Sequence, residues 1–136
     1  MTDTFQGHPI GWIRKNGDDV RIDIDRAFQD GLLGLDGFSH IIVFYWFHGN
    51  DNPDDRATLR VHPRKNPANP LTGVFATHAP VRPNLIGIST CRLRAVTDGV
   101  IRIDEIDARD GSPVIDIKCY IPGKLKPSEI TVPDWM

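Results

Sequence analysis

The residues best placed to do chemistry lie between Val74 and Ser89. Thr77, His78, Arg82, Asn84 and Ser89 put five polar side chains into a stretch pinned by Pro80 and Pro83. Each proline fixes its own φ and drives the preceding residue into extended geometry. Gly87 permits a backbone path that a Cβ can block. The stretch opens as a short apolar strand, Val74 to Ala76, and runs out into another at Ile88. A rigid polar loop between buried strands is a common way to build a site. A surface loop kept tidy by prolines fits the same local pattern equally well.

Two further polar groups sit at the ends of apolar runs, and a third lies along one face of a strand. His48, Gly49 and Asn50 follow the most apolar segment of the chain. Asp107, Ala108, Arg109 and Asp110 lie in an acidic stretch from Asp104 to Ser112. Asp116, Lys118 and Tyr120 alternate along a final strand and therefore point the same way. For this last set, a solvated sheet face is the simpler explanation, with a polar pocket or a subunit contact as the functional one.

Several chemistries find little support. Five histidines show neither HxxxH nor HxH spacing, so His48 and His78 read as hydrogen-bonding groups and no metal is expected. Ser89 and Ser112 lack a nucleophile-elbow context. Gly31, Gly34 and Gly37 recur every third residue, but no strand feeds them into a helix, so a dinucleotide fingerprint fails. The cluster from Arg56 to Lys65 is a modest basic patch able to touch phosphates, or a solvated loop.

The elements that must position these groups are strands. Val20, Ile22 and Ile24 alternate with Arg21, Asp23 and Asp25, the period of a strand with one wet face. Ile10 to Ile13 precedes it across an Asn16-Gly17 turn. Ala27 to Leu35 has room for a helical turn around Phe28, Leu32 and Leu33. Ile41 to Phe47 is apolar on both faces and reads as a central strand. Thr58 to Val61 is a short candidate strand. Ile88 to Val96 places Cys91, Leu93 and Ala95 opposite Arg92 and Arg94, and Asp98-Gly99 turns it into Val100 to Ile103. Pro113 to Ile121 closes the series, with Ile115, Ile117, Cys119 and Ile121 as its apolar set. The tail from Pro122 is expected to drape over the surface, with Trp135 a candidate for docking. Short strands separated by turns every ten or so residues predict an all-β fold, a single small antiparallel barrel or sandwich domain with long loops.

A chain of 136 residues with 40% hydrophobic and 25% charged content suits one globular domain. The expected core spans about residues 9–122, with a tail over 123–136. The net charge of −2 confines any nucleic-acid binding to a local basic patch. Met1 to His8 has neither the basic start nor the apolar core of a signal peptide, and no run is long enough to span a bilayer, which points to the cytoplasm, where thiols stay reduced; Cys91 and Cys119 read as buried free thiols, with a disulfide as the alternative.

Four ordered motifs carry a family resemblance. Gly73-Val-Phe-Ala-Thr-His-Ala-Pro-Val-Arg-Pro-Asn-Leu-Ile-Gly-Ile-Ser89 and Asp107-Ala-Arg-Asp-Gly-Ser-Pro-Val-Ile-Asp-Ile-Lys-Cys-Tyr-Ile-Pro122 resemble the two signatures of the TsaA/TrmO-like family. Leu35 to His48 and Leu59 to Arg64 are similar to it as well. The resemblance implies an S-adenosyl-L-methionine-dependent methyltransferase on a small β-barrel. It implies a homodimer, and a tRNA substrate methylated on N6 of threonylcarbamoyladenosine beside the anticodon. Cofactor contacts are then expected at His48, Gly49, His78, Ile88, Asp107, Ala108, Arg109 and Asp110. Arg82, Asp116, Lys118 and Tyr120 become candidate catalytic residues, with Asn84 and Ser89 for substrate. Family members usually carry Arg at the position of His78 and Pro at those of Leu85 and Cys119. Many also insert a longer basic loop where this chain has only Asn16-Gly17. A same-fold methyltransferase acting on a small molecule, and a non-enzymatic cofactor- or nucleic-acid-binding module, are the alternatives.

Overall fold

The period-two patterning of the sequence is resolved by closing one sheet on itself. The computed structural model describes residues 3–136. Eight strands form: β1 Gly11–Asn16, β2 Asp19–Ile24, β3 His40–Trp46, β4 Arg60–Val61, β5 Thr72–Gly73, β6 Ile86–Thr97, β7 Val100–Ile103 and β8 Pro113–Cys119. Six of them make a closed antiparallel barrel in the order β1-β2-β7-β6-β3-β8, and β4 and β5 form a separate two-stranded hairpin. Closure removes the exposed sheet edges that an open sheet of this size must protect.

Alternation decides what lies inside. Val20, Ile22 and Ile24 of β2, Ile41, Val43 and Tyr45 of β3, and Ile101 and Ile103 of β7 are buried in one cluster. Each fully buried aliphatic side chain contributes roughly 1.5–3 kcal/mol. As expected, β3 is central, paired with β6 on one side and β8 on the other. The Asn16-Gly17 and Asp98-Gly99 turns form, with Gly17, Asp98 and Gly99 at positive φ.

The structure corrects the expected elements at several points. Val74–Ala76 is a 3-10 turn, not a strand. Val74 is buried and its N–H donates to Leu59 O at 2.9 Å, so the pairing with β4 ends there. A bulge between Leu93 and Ala95 shifts the β6–β7 register, leaving Ala95 exposed and turning Val96 inward. A second bulge in β8 pairs Tyr45 with Val114 and Phe44 with Asp116. Ile115 is thus the extra residue, and Val114, absent from the expected apolar set, is fully buried. That strand ends at Cys119, so Ile121 lies beyond it and is exposed. The helical turn near Phe28 is 3-10 over Arg26–Leu32 and buries no residue. Beyond Pro122 the chain is exposed apart from half-buried Trp135. Among the described residues, no helix is long and apolar enough to cross a membrane.

Candidate functional site

The antiparallel register collects the polar groups at one end of the barrel. The C-terminal end of β3, the N-terminal ends of β6 and β8 and the segment after β7 meet there. The β1–β2 turn belongs to the same end, since Val20 pairs with Ile103.

Segment 104–112 closes that end. It was expected as an acidic loop, and its inner side is apolar: Ile106 and Ala108 are buried against the barrel core. Asp107 and Arg109, the alternate residues, therefore face outward. Lys15 fixes the segment by donating from Nζ to Ile106 O at 2.7 Å and Ala108 O at 2.9 Å. Asp110 is engaged in the same fastening, its Oδ1 accepting the backbone N–H of Lys15 at 2.9 Å. Ser112 is buried and donates to Arg109 O.

The opposite wall is the proline-pinned loop. Arg82 Nη1 donates to the carbonyls of Thr77 and Ala79, both at 3.1 Å, and Thr77 Oγ1 donates to Val74 O at 2.9 Å. Leu85 is fully buried and anchors the loop, its carbonyl accepting from Phe47 N at 2.8 Å. A third segment braces the proline-pinned loop against β3. Arg56 Nε donates to Pro83 O at 2.9 Å while its guanidinium lies 5.4 Å from the Trp46 ring.

Between these walls lies a cleft of two adjoining compartments. One, about 160 Å³, is lined by His48, Gly49, Asn50, Pro80 and Arg109 among others. The other, about 360 Å³, is lined by Phe75, Thr77, His78, Arg82 and Ile88 among others. Tyr45, Phe47 and Asp107 line both. Tyr45 and Phe47 meet edge to face at 5.6 Å between centroids. Gly87 makes room for this pair, because a Cβ there would come within 2.6 Å of the Tyr45 ring. Gly49 does the same for Arg109, whose Nη1 would lie 2.5 Å from an added Cβ.

Burial pushes the Tyr45 phenol above its usual range, and the Asp107 charge adds to the rise against the opposing hydrogen bond from Ser89 at 3.2 Å. Tyr45 therefore stays protonated near neutral pH and serves as a wall and a hydrogen-bonding group. Burial, helped by the charges of Asp107 and Glu105, takes the Cys91 thiol up to about 11, so it is no nucleophile.

Of the expected site residues, His48, Gly49, Asp107, Ala108 and Arg109 meet in the first compartment, and His78, Arg82 and Ile88 in the second. Ser89 touches the site through Tyr45. Asn84 is exposed outside both compartments. Asp116 and Lys118 are exposed on the outer face of β8, Tyr120 is exposed just past its end, and none of the three lines either compartment. Asp116 stands in one cross-strand row with Phe44 and Ile88, two strands or roughly 10 Å from the cleft wall. Sequence reasoning missed Tyr45, Phe47, Phe75 and Lys15. The first two looked like core and the last like turn punctuation. The alternation of Ile106 and Ala108 was the available sign that the acidic segment has an inner face.

A closed six-stranded barrel with a polar cleft at its mouth defines the class. The tRNA-methyltransferase O N-terminal domain model matches residues 3–124, and the chain belongs to that family. It is 45% identical over 112 residues to a protein of Methanocaldococcus jannaschii named "Probable S-adenosyl-L-methionine-binding protein", covering 82% of this chain and 89% of that one. It is 37% identical over 113 residues to the mouse tRNA (adenine(37)-N6)-methyltransferase, covering 83% of this chain but only 26% of the enzyme. The crystal structure of TrmO from Pseudomonas aeruginosa superimposes with a TM-score of 0.74 at 28% identity, over 99% of this chain and 63% of that one. The chain thus spans most of the archaeal relative, about a quarter of the mouse enzyme and under two thirds of the bacterial structure.

Proposed function

We propose that the cleft binds S-adenosyl-L-methionine and that the protein methylates N6 of threonylcarbamoyladenosine beside the anticodon of tRNA, in the cytoplasm. The observation that carries this reading is the position of Asp107, whose side of the loop faces both compartments where they join. A carboxylate there meets a ligand cation lying across the junction. The rest of the donor set fits the same cofactor: Tyr45 and Phe47 offer aromatic walls for an adenine ring, and Arg109 a fork for a carboxylate. When bound, the cofactor supplies an electrophilic methyl group. The protein's work is then positioning, the exclusion of water and removal of one proton from the substrate nitrogen.

We propose further that the barrel, with its core over residues 9–122, acts as a homodimer. Ile42, Phe44, Ile86 and Ile88 lie on the outer face of β6 and β3, and Asp116 and Lys118 flank them on β8. Ile86 and Ile88 also line the cleft, so a second copy packed on this face would stand at its opening. In that arrangement Asp116 of each protomer takes the proton from the nitrogen bound by the other. Lys118 and Arg82 stabilise charge on the neighbouring carbonyl oxygen, and Tyr120 and Asn84 hold the base.

The test is calorimetric titration with S-adenosyl-L-methionine and with S-adenosylhomocysteine, followed by methyl transfer to tRNA. Asp107→Asn should weaken the sulfonium ligand more than the neutral thioether. Equal losses would remove Asp107 from the charge-pairing role. Cofactor binding without transfer to tRNA would favour a small-molecule substrate or a binding module. A wild-type protein that sediments as a monomer while fully active would remove the dimer.

A further inference from the structure

Charge is segregated along this chain. From Arg56 to Thr97 there is no Asp or Glu, yet the stretch holds seven of the sixteen basic residues. All eighteen carboxylates lie outside it, so a chain of net charge −2 carries a strongly positive segment. Within it, Arg56, Arg82 and Arg94 are engaged by Asp51 and Pro83 O, by Thr77 O and Ala79 O, and by Asp104, respectively. Among the described residues of this stretch, Arg92 on β6 and the three residues Arg60, Arg64 and Lys65 make no side-chain hydrogen bond or ion pair, and all are exposed.

The latter three residues sit on a built arm. β4 and β5 pair Arg60 with Gly73 and Val61 with Thr72. The turn beyond them is tied by Asn69 Nδ2 donating to Pro63 O at 2.8 Å and by a hydrogen bond between His62 Nδ1 and Asn69 O at 2.8 Å. Pro63 is buried beneath it. At its tip, Arg64 and Lys65 adopt φ of 58° and 55°, the left-handed region that glycine or asparagine enters more easily. The chain keeps two cations where the backbone would favour other residues. The arm ends in the 3-10 turn Val74–Ala76, which presents Phe75 at 81% exposure on the rim of the larger compartment. An aromatic ring left this open beside a cleft is poorly explained by packing.

We infer that this arm docks RNA: Arg60, Arg64 and Lys65 take backbone phosphates, and Phe75 stacks on a base beside the cleft. A rigid row of unpaired cations with an aromatic ring at its base matches the needs of a single-stranded loop, whose phosphates are anionic and whose bases offer open π faces. The inference rests on the tRNA reading above and adds the surface that delivers the nucleotide.

The experiment measures binding of an anticodon stem–loop RNA to the whole chain over a range of salt, with calorimetry of S-adenosyl-L-methionine alongside. Arg64→Asn/Lys65→Asn keeps residues that tolerate positive φ. It should weaken RNA binding about tenfold or more at low salt and flatten the salt slope by about 1.4, at 0.7 per phosphate contact. Cofactor affinity should be unchanged. Phe75→Ala should weaken RNA binding roughly tenfold at unchanged slope, and Phe75→Tyr should restore it. If the wild type binds and methylates RNA and these variants do so equally, the arm is overturned and the methyltransferase reading stands. If Phe75→Ala loses cofactor instead of RNA, the stacking role is overturned. A wild type that binds cofactor but no RNA overturns both the arm and the tRNA substrate.

Discussion

Lys15 Nζ donates to the carbonyl oxygen of Ala108 at 2.9 Å, across 93 positions of sequence. With its second bond to Ile106 O, the ammonium holds the segment that carries Asp107 and Arg109. Lys15→Met would leave two carbonyls without their charged donor, at about 1–3 kcal/mol of stability. Cofactor affinity should drop roughly tenfold, the equivalent of about 1.4 kcal/mol. Lys15→Arg should recover part of both. Thermal melts and calorimetric titration read the two effects separately, and unchanged affinity in a folded Lys15→Met protein would show that the segment needs no clamp.

Gly49→Ala tests the first compartment with little disturbance of the core. The new Cβ meets the far end of Arg109, a flexible side chain, so the guanidinium shifts and the fold remains. The expected result is an unchanged melting profile with cofactor binding weakened several-fold, and wild-type affinity would place Arg109 outside the binding geometry.

Gly87→Ala should behave differently. Its Cβ lands against the buried Tyr45 ring and within 2.9 Å of Phe47, the two rings packed edge to face. Overpacking of this kind costs about 1–3 kcal/mol. Gly31→Ala, with nothing within 4 Å, is the matched control and should be near neutral. Urea denaturation of the two variants side by side makes the comparison.

The two cysteines should part company in alkali. Cys91 is buried with its pKa raised from 9.0 to about 11, whereas Cys119 is half-buried. A thiol whose folded pKa exceeds its unfolded value contributes stability fully below about pH 9, and that contribution is lost as pH rises towards 11. The two-unit interval corresponds to about 2–3 kcal/mol. Denaturation at pH 8 and pH 10.5 should show a fall that Cys91→Ala reduces. Alkylation near pH 8 should label Cys119 well before Cys91.

The barrel was legible because β2 alternates every two residues over its whole length and β3 is an unbroken apolar run, rich in β-branched and aromatic residues, between turn signals. The interruptions were not legible. Ala95 and Val114 lie beside bulges, and a bulge shifts alternation without any residue type announcing it. Val74–Ala76 looked like a strand because three apolar residues in a row carry no period. At the site, His48, Asp107 and Arg109 could be picked out as polar groups at strand ends. Tyr45 and Lys15 could not, because each matters through a partner more than forty positions away.

The extra residue at Ile115 has a consequence for the whole of β8. It lets the two halves of one strand be phased independently. The half near the mouth follows Gly11 and Tyr45, while the other follows Phe44, Val43 and Ile41. If that strand ran with Ile115 in regular pairing, one half would have to invert. Either Val114 would leave the interior or a carboxylate at Asp116 would enter it. One unpaired residue thus allows the mouth and the outer face to vary in sequence without each dictating the other.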